Sequence, residues 1–310
     1  MRSFVSEEHL MTVINRIIQP VGRQINLHSP LVDARLKDGS RVNATIPPIS
    51  PDGATLTIRR FSEKAYTGED YLSFGSLDEK MLYFLMRTVQ GKASMIVSGG
   101  TGSGKTTLLN MLLLGIPENE LVVTIEDSCE LKHNRKNIRR LEARLATGEL
   151  GVLSVPVRAL VKNALRMRPD RIIVGEIRDE TIVDMVSAMS TGHEGSLSTV
   201  HANSPQNLIK ARMPILYSMY GDSAFTPEAQ AIQLSEALDL IVHVSRMVDG
   251  SRKVTHITHI AGLEQNQLNL QDIFIYRNGK FQATGYVPKK LLEKLKSHKV
   301  TVDESIFQRT

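Results

Sequence analysis

The order of apolar and polar positions at the start of the chain predicts a small α+β domain over residues 1–61. Residues 6–20 (SEEHLMTVINRIIQP) place apolar side chains at helical spacing behind Ser6, a typical N-cap residue. Residues 32–46 and 54–61 alternate apolar and polar side chains, the former around the turn 37–40, which predicts a hairpin and a further strand. Because this unit is small for a complete domain, we expect the natural domain to extend beyond it.

The pattern changes after a weakly periodic segment, residues 62–76, which we interpret as a linker. From Leu77 onwards, short apolar strands alternate with helical segments, which is typical of a parallel sheet with helices on both faces. This pattern predicts a large α/β domain over residues 77–310. The predicted helices are 77–90, 105–114, 156–167, 181–190, 204–219, 226–238 and one from Pro288; the predicted strands are 95–98, 121–127, 171–177, 196–200, 239–245, 254–260 and the pair in 273–286.

Composition narrows the class of protein. The 310 residues are 41% apolar and 23% charged, as in globular proteins. A single cysteine, Cys129, excludes an internal disulfide framework and a thiolate zinc cluster. We expect a cytoplasmic protein, because we find neither an apolar signal core nor a run long enough to span a membrane. The net charge of +5 is compatible with nucleic acid or an anionic membrane surface as a partner but establishes neither.

The segment GGTGSGKT (99–106) has the spacing of a phosphate-binding loop between a predicted strand and a predicted helix. Glycines let backbone amides surround a phosphate, and the helix N-terminus adds partial positive charge. In such a loop Lys105 bridges the β- and γ-phosphates and the Thr106 hydroxyl binds Mg²⁺. We therefore predict ATP and Mg²⁺ as cofactors. The predicted nucleotide-binding residues are Gly100, Thr101, Gly102, Ser103, Gly104, Lys105, Thr106 and Thr107.

Two predicted strands end in acidic residues. Glu126, Asp127 and Glu130 follow one strand, and Glu176 ends another, with Asp179 nearby. Since ligands bind at the carboxyl ends of parallel strands, carboxylates there can organise hydrated Mg²⁺ or orient the attacking water. A single acidic strand end is equally compatible with a helix cap or a surface charge, but two beside a phosphate loop favour catalysis.

Basic residues leave three interpretations open. Residues 131–144 (LKHNRKNIRRLEAR) could be a solvated face, a nucleic-acid surface without interleaved aromatic residues, or the source of an arginine finger. Candidate fingers in this run are Arg139, Arg140 and Arg144. Arg59 and Arg60 raise the same question, and strand alternation predicts that they point to opposite faces.

The segment GHEGSLSTVHANSP (192–205) is dense in histidine and hydroxyl residues. Zinc would require His193, Glu194 and His201 to converge without the H-E-x-x-H helix, and a serine nucleophile would require a G-x-S-x-G elbow; neither pattern is present. The remaining interpretation is a strand end at which His201 hydrogen-bonds to the γ-phosphate and senses its loss, unless His201 is only structural. In a strand His256 and His259 would fall on opposite faces, so we expect no metal there.

With these motifs together, the chain resembles the secretion ATPases of type II and type IV secretion and of type IV pili. The quoted motifs are GGTGSGKTT, the "Asp box" TIEDSCEL, the Walker B segment RMRPDRIIVGEIRDET and the "His box" TGHEGSLSTVHANSP. Within that group the text SPLVDARLKDGSRVNATIPP, LTIRRF and DLIVHVSRMVDGSRKVTHIT looks most like the CpaF-type ATPases of tight-adherence (Tad) pili. The resemblance covers nearly the whole chain.

The resemblance implies a RecA-like ATPase domain joined to a smaller PAS-like N-terminal α+β domain. It implies a homohexameric ring at the cytoplasmic face of the inner membrane, with nucleotide between the domains and a membrane platform protein as partner; nucleic acid is a less favoured partner. It assigns Glu130 as general base, Glu176 as the Walker B glutamate and His193 with His201 as the His-box pair. By the same resemblance Arg59 or Arg60 reaches the phosphates, Arg144 is a further candidate finger, and Glu130 and Glu176 join Thr106 around the metal.

Overall fold

A computed structural model of the chain describes residues 4–60, 65–132, 135–144, 153–221 and 225–309. The chain divides into two compact units, residues 1–64 and 65–310. Among the helices within the described ranges, none combines the length and the apolarity needed to cross a bilayer.

The smaller unit packs one helix against an antiparallel sheet of three strands. Helix α1 (Glu7–Ile18) begins at Ser6, whose hydroxyl accepts a hydrogen bond from the amide of His9, as the capping pattern predicts. Its apolar stripe packs against alternate residues of the strands, so the predicted helix, hairpin and third strand are confirmed. The strands are β1 (Leu31–Arg35), β2 (Arg41–Thr45) and β3 (Thr55–Arg59).

The larger unit is built on a nine-stranded sheet. The strands are β4 (Met95–Gly99), β5 (Val122–Glu126), β6 (Ile138–Glu142), β7 (Arg171–Ile177), β8 (Leu197–His201), β9 (Leu240–Arg246), β10 (Arg252–Glu264), β11 (Gln267–Arg277) and β12 (Lys280–Ala283). Their order is β12-β11-β10-β9-β4-β8-β7-β5-β6, with parallel pairing from β9 to β6 and antiparallel pairing from β9 to β12.

Helices cover both faces of this sheet, which confirms the predicted α/β class. Neighbouring strand residues belong to different cores: Val97 faces one and Ile96 the other. The helices are α2 (Gly68–Ser73), α3 (Glu79–Gln90), α4 (Lys105–Leu113), α5 (Val157–Ala164), α6 (Thr181–Ser190), α7 (Pro205–Asn207), α8 (Met213–Ser218), α9 (Pro227–Ala237) and α10 (Lys289–Ser297), with a π-helical segment (Leu208–Arg212) between α7 and α8. One core includes α3, α4 and α10, and the other includes α5, α6, α8 and α9.

Helix α2 and strand β6 are among the elements that differ from the sequence-based expectation. Helix α2 lies in the stretch 62–76 that weak periodicity predicts as a linker; its reciprocal capping box between Thr67 and Asp70 gives it a start that periodicity does not reveal. Residues 62–64 of that stretch lie outside the described residues. Strand β6 lies in the basic run, where we predicted no strand. Within the described residues β6 is an edge strand that pairs with β5 and stays partly exposed, so it carries no continuous apolar signal.

Candidate active site at the carboxyl edge of the sheet

The phosphate-binding loop joins the carboxyl end of β4 to the start of α4. Gly102 and Gly104 have φ values of 69° and 99°, a conformation that disfavours a side chain. Gly99 is required for a different reason, because a Cβ there would lie 2.3 Å from the carbonyl oxygen of Val244 in the neighbouring strand. The Ser103 hydroxyl donates to the carbonyl of Gly100 and closes the loop. The geometry is that of a backbone cradle ahead of a helix N-terminus.

Lys105 is the cation at the centre of this loop. Its side chain is 9% exposed, and its Nζ lies 3.1 Å from the carbonyl oxygen of Gly100 and 4.0 Å from Oε1 of Glu176. Burial lowers the pKa of the lysine, and the Glu176 carboxylate partly opposes that shift. Thr101 is exposed, while Thr106 and Thr107 are half-buried in the first turn of α4. The loop therefore presents an ammonium group beside a carboxylate.

Glu176 reaches this position because β7 contains a bulge. In the pairing of β7 with β8, Val174 is opposite Ser198 and Ile177 is opposite Val200, so β7 has one extra residue. Such a bulge changes the direction of the side chains within it. Arg178 donates to Oε2 of Glu176 at 2.5 Å, so each carboxylate oxygen of Glu176 has a cationic neighbour.

Glu126 and Glu130 follow β5, beside β7. Glu126 is 3% exposed, and its Oε1 accepts hydrogen bonds from the backbone amides of Glu130 and Leu131 at 2.8 and 2.9 Å. Burial raises the pKa of Glu126 to about 7, against the opposite effect of those two amides. Glu130, half-buried, is one of the charges acting on Arg178. The predicted acidic residues Glu130 and Glu176 thus lie at the same edge of the sheet.

The two histidines of the "His box" do not lie together. His201 ends β8 directly beside Gly99, at the edge that carries the phosphate loop. His193 precedes β8, at the opposite edge, where its carbonyl accepts from the Ser196 hydroxyl. The five residues of β8 alone separate the two edges by about 13 Å. His193 is half-buried, and its Nδ1 has no hydrogen-bond partner within the described residues.

The hydroxyl residues between these histidines have backbone partners. Ser198 donates to the carbonyl of Val174, and Thr199 donates to the carbonyl of Gly175; both are fully buried. These bonds reinforce the pairing of β8 with β7 next to its bulge. The density of hydroxyl groups is therefore explained by strand pairing, and Ser196 and Ser198 are positioned as donors rather than as nucleophiles.

The described residues suit Mg²⁺ better than a metal that requires a protein cage. In the described ranges, no three His, Cys, Asp or Glu side chains converge as a metal-binding group. Magnesium usually takes one or two protein ligands and otherwise phosphate and water. The Thr106 hydroxyl at the start of α4 and the Glu176 carboxylate beside Lys105 fit that donor set.

The candidate arginine fingers are exposed, and the charge of Arg140 acts on Glu126. Arg139 and Arg140 lie on the edge strand β6, and Arg144 donates to the carbonyl of Leu153. Arg59 and Arg60 are exposed in the smaller unit, at the end of β3. In the same basic run, Arg135 donates to the carbonyls of Ile116 and Pro117 and is structural.

Arg252 is a further basic residue at the loop, and sequence reasoning missed it. Its Nε donates to the carbonyl oxygen of Gly102 at 3.1 Å, and its Cδ would lie 3.1 Å from a Cβ on Gly104. Arg252 begins β10, 146 residues after the end of the GGTGSGKT motif in the sequence. Only the topology reveals this contact, because β9 lies beside β4 and the β9–β10 turn returns at the loop.

Comparison with known proteins shows the family of the chain. A model described as type II/IV secretion system protein matches residues 2–282. The chain is 46% identical over 191 residues to an uncharacterized protein of Methanocaldococcus jannaschii, a match to 60% of the chain but only 26% of that protein. It is 32% identical over 283 residues to the conjugal transfer protein TrbB of Rhizobium radiobacter, covering 88% of the chain and 77% of TrbB.

The fold is also similar to that of a solved secretion ATPase. The crystal structure of the VirB11 ATPase from the Brucella suis type IV secretion system, in complex with sulphate, matches with a TM-score of 0.51 and 28% identity over 81% of this chain and 80% of VirB11. The family model covers most of the chain, including every motif of the carboxyl edge. The chain belongs to the type II/IV secretion system protein family.

Proposed function

We propose that the chain is a Mg²⁺-dependent ATP hydrolase that drives a secretion or pilus machine. The observation that carries this proposal is the placement of Lys105 within the glycine loop, with its Nζ 4.0 Å from Glu176. This arrangement can bind a triphosphate and hold a carboxylate beside its terminal group. The similarity to a structure named as the VirB11 ATPase supports the same activity.

We assign the roles from position and, for the base Glu130, from the resemblance to the secretion ATPases. The loop amides and Lys105 bind the phosphates, and Thr106 with Glu176 would hold the metal. When bound, Mg²⁺ supplies charge that stabilises the transferred phosphoryl group. Glu130 acts as the general base for water, and His201, beside Gly99, reports whether the γ-phosphate is present. His193, at the opposite edge, supports the strand that carries His201.

Phosphate release tests the proposal. Lys105→Ala and Glu176→Gln should each lower the rate at least ~100-fold, because transition-state charge stabilisation is lost. Lys162→Ala, which removes an equivalent charge near Asp184, is the matched control and should retain the wild-type rate. Equal rates in all four proteins would refute hydrolysis at this site. A folded wild type that binds ATP without turnover would instead favour a nucleotide-gated assembly scaffold.

For the assembly, we infer a homohexameric ring at the cytoplasmic face of the membrane, working on a platform protein. Mass measurement in solution, with and without a non-hydrolysable ATP analogue, tests the ring; a monomer under both conditions would refute it. Candidate trans-acting fingers are Arg59, Arg60, Arg139, Arg140 and Arg144. A finger variant should regain turnover when it is mixed with Lys105→Ala, whose arginines remain intact, while a cis-acting arginine should not.

For the machine, we favour a Tad-type pilus, with pilin extrusion as the work. The alternative is DNA transfer, which the likeness to the conjugal transfer protein TrbB supports. The exposed arginines of β6 could contribute to a DNA surface. A salt-dependent affinity for DNA that Arg139→Ala and Arg140→Ala together reduce would favour conjugation. Absence of DNA binding at 50 mM salt would favour the pilus.

A further inference from the structure

The buried carboxylate of Glu126 connects the two acidic segments of the candidate site. It is the last residue of β5, and its Oε1 receives the amides of Glu130 and Leu131 at 2.8 and 2.9 Å. Two donors on one oxygen fix the backbone of the loop immediately around Glu130. The side chain of Glu130 is therefore presented from a loop that Glu126 closes.

The same carboxylate lies against the strand that carries Glu176. A Cβ on Gly175 would lie 2.9 Å from Cγ and 3.4 Å from Oε1 of Glu126, so residue 175 must lack a side chain for Glu126 to occupy this position. The carbonyl of Gly175 is held by the hydroxyl of Thr199. Glu126 thus packs on a fixed peptide directly before Glu176.

If residue 126 only filled the core, a carboxyl group there would cost more folding free energy than an apolar side chain. Glu126 is 3% exposed, and its Oε2 is buried with no hydrogen-bond partner within the described residues. Burial of an unsatisfied polar atom opposes folding, and such atoms in native structures call for an explanation. The two hydrogen bonds to Oε1 explain why a carboxyl group is present here, because an apolar side chain cannot accept hydrogen bonds from the amides of Glu130 and Leu131.

We propose that Glu126 is a positioning residue, which holds the Glu130 loop at a fixed place against the Glu176 strand. The proposal deepens the proposed function and rests on it, since Glu130 is taken there as the base. Glu126 contacts the backbone of the Glu130 loop and the Gly175 peptide. It acts through the two backbone amides, so a side chain with a carbonyl oxygen at the same place can replace it.

The sole cysteine of the chain gives a readout that is independent of hydrolysis. Cys129 lies within the closed loop and is half-buried. Modification by a thiol reagent at pH 8 should be slow in the wild type, because the half-buried thiol is poorly accessible to the reagent. Release of the loop should expose the thiol and accelerate the modification.

The experiment compares Glu126→Gln with Glu126→Leu. The glutamine keeps an acceptor for both amides and should stay within ~2-fold of the wild type in Cys129 modification and in kcat. The leucine removes the acceptor, and should raise the modification rate at least ~5-fold and lower kcat at least ~10-fold, with KM for ATP within ~2-fold. Glu180→Leu, a half-buried carboxylate of the Arg158 ion pair, is the matched control and should change neither readout.

A double substitution tests the contact with Gly175. Gly175→Ala should push Glu126 aside and reproduce the leucine phenotype, and it keeps the test open if Glu126→Leu does not fold. In a Glu126→Ala background the clash with Cγ is gone, so Gly175→Ala should add less than ~2-fold. Wild-type Cys129 modification in Glu126→Leu, or a glutamine as damaging as leucine, would overturn the proposal. Absence of hydrolysis in the wild type would refute the proposed function alone, since Cys129 still tests the loop.

Discussion

The two edges of the large sheet use the same residue types in opposite ways. At the amino edge, the fully buried Arg171 donates to both oxygens of Glu120 and to the carbonyls of Val89 and Gly195. At the carboxyl edge, Lys105 and Glu176 lie 4.0 Å apart, beside a glycine loop whose cradle is lined by backbone. Arg171 donates its hydrogen bonds to groups inside the protein and therefore stabilises the fold. Lys105 lies in the phosphate-binding loop, where its ammonium group can bind a ligand.

The amino edge explains a glycine of the "His box" in structural terms. Gly195 has a φ of 76°, and a Cβ there would lie 2.8 Å from a guanidinium nitrogen of Arg171 and 2.9 Å from the Cα of Lys92. Its amide donates to the Ser94 hydroxyl. The segment 192–205 therefore begins among the contacts of Arg171, which stabilise the fold, and reaches the phosphate loop at His201.

The largest effect on stability should come from breaking the amino edge. Arg171→Leu leaves the Glu120 carboxylate buried without its partner and should lower the free energy of unfolding by about 3–5 kcal/mol. Arg178→Leu, which removes an exposed partner of Glu176, should lower it by less than about 1 kcal/mol. Urea unfolding measures both. Similar losses in the two variants would contradict the distinction between the edges.

Two buried histidines should make the stability of the larger unit depend on acid. His243 lies opposite Ser98, near the phosphate loop, and His259 lies opposite Leu240, towards the amino edge. His243 Nδ1 lies 2.8 Å from the Ser98 hydroxyl, and His259 Nδ1 lies 3.0 Å from the Tyr286 hydroxyl. Burial lowers the pKa of both histidines to about 4, against 6.5 when unfolded. The unfolded chain thus binds more protons between those values, so stability is complete above pH 6.5 and is lost as the pH falls towards 4.

Each of these histidines should account for about 2 kcal/mol of lost stability between pH 7 and pH 5. His243→Asn keeps a polar contact to Ser98 but cannot titrate, and should remove its share of the pH dependence. Unfolding curves at the two pH values measure the difference; an unchanged slope in His243→Asn would contradict the buried neutral state.

The difference between the edges also shows what the sequence could reveal. Periodicity predicted most helices and strands, because the buried face of each element repeats its apolar residues at a regular local spacing. The GGTGSGKT spacing predicted the phosphate loop from the sequence alone. The partners of Arg171 were not predicted, because they come from three distant segments. Strand β6 was missed because an exposed edge strand has no apolar run. The strand predicted over residues 196–200 already separates His193 from His201, and β8 confirms that strand.

The change Arg252→Ala should weaken nucleotide binding, and by less free energy than Arg171→Leu removes from folding. Its bond to the Gly102 carbonyl orients one peptide of the loop, and its charge adds to the local potential. Arg252→Ala should weaken ADP binding about 10-fold, equivalent to about 1.4 kcal/mol, with no loss of unfolding free energy. Arg246→Ala, its partner across the β9–β10 pair, is the matched control. Equal ADP affinities in the two variants, by fluorescence titration, would remove Arg252 from the site.

The smallest effect on hydrolysis should come from His193→Ala, because His193 lies at the amino edge, away from the phosphate loop. Although it shares a motif with His201, it lies before β8, and its carbonyl rather than its ring contacts Ser196. His193→Ala should therefore leave ATP affinity and kcat within about 2-fold, while His201→Ala should retain ATP affinity and lower kcat about 10-fold. Side-by-side turnover and binding assays decide this. Equal losses of kcat in the two variants would mean that the amino edge is coupled to hydrolysis through β8. His193 lies one strand length from the phosphate loop, so it can influence hydrolysis only by shifting that strand.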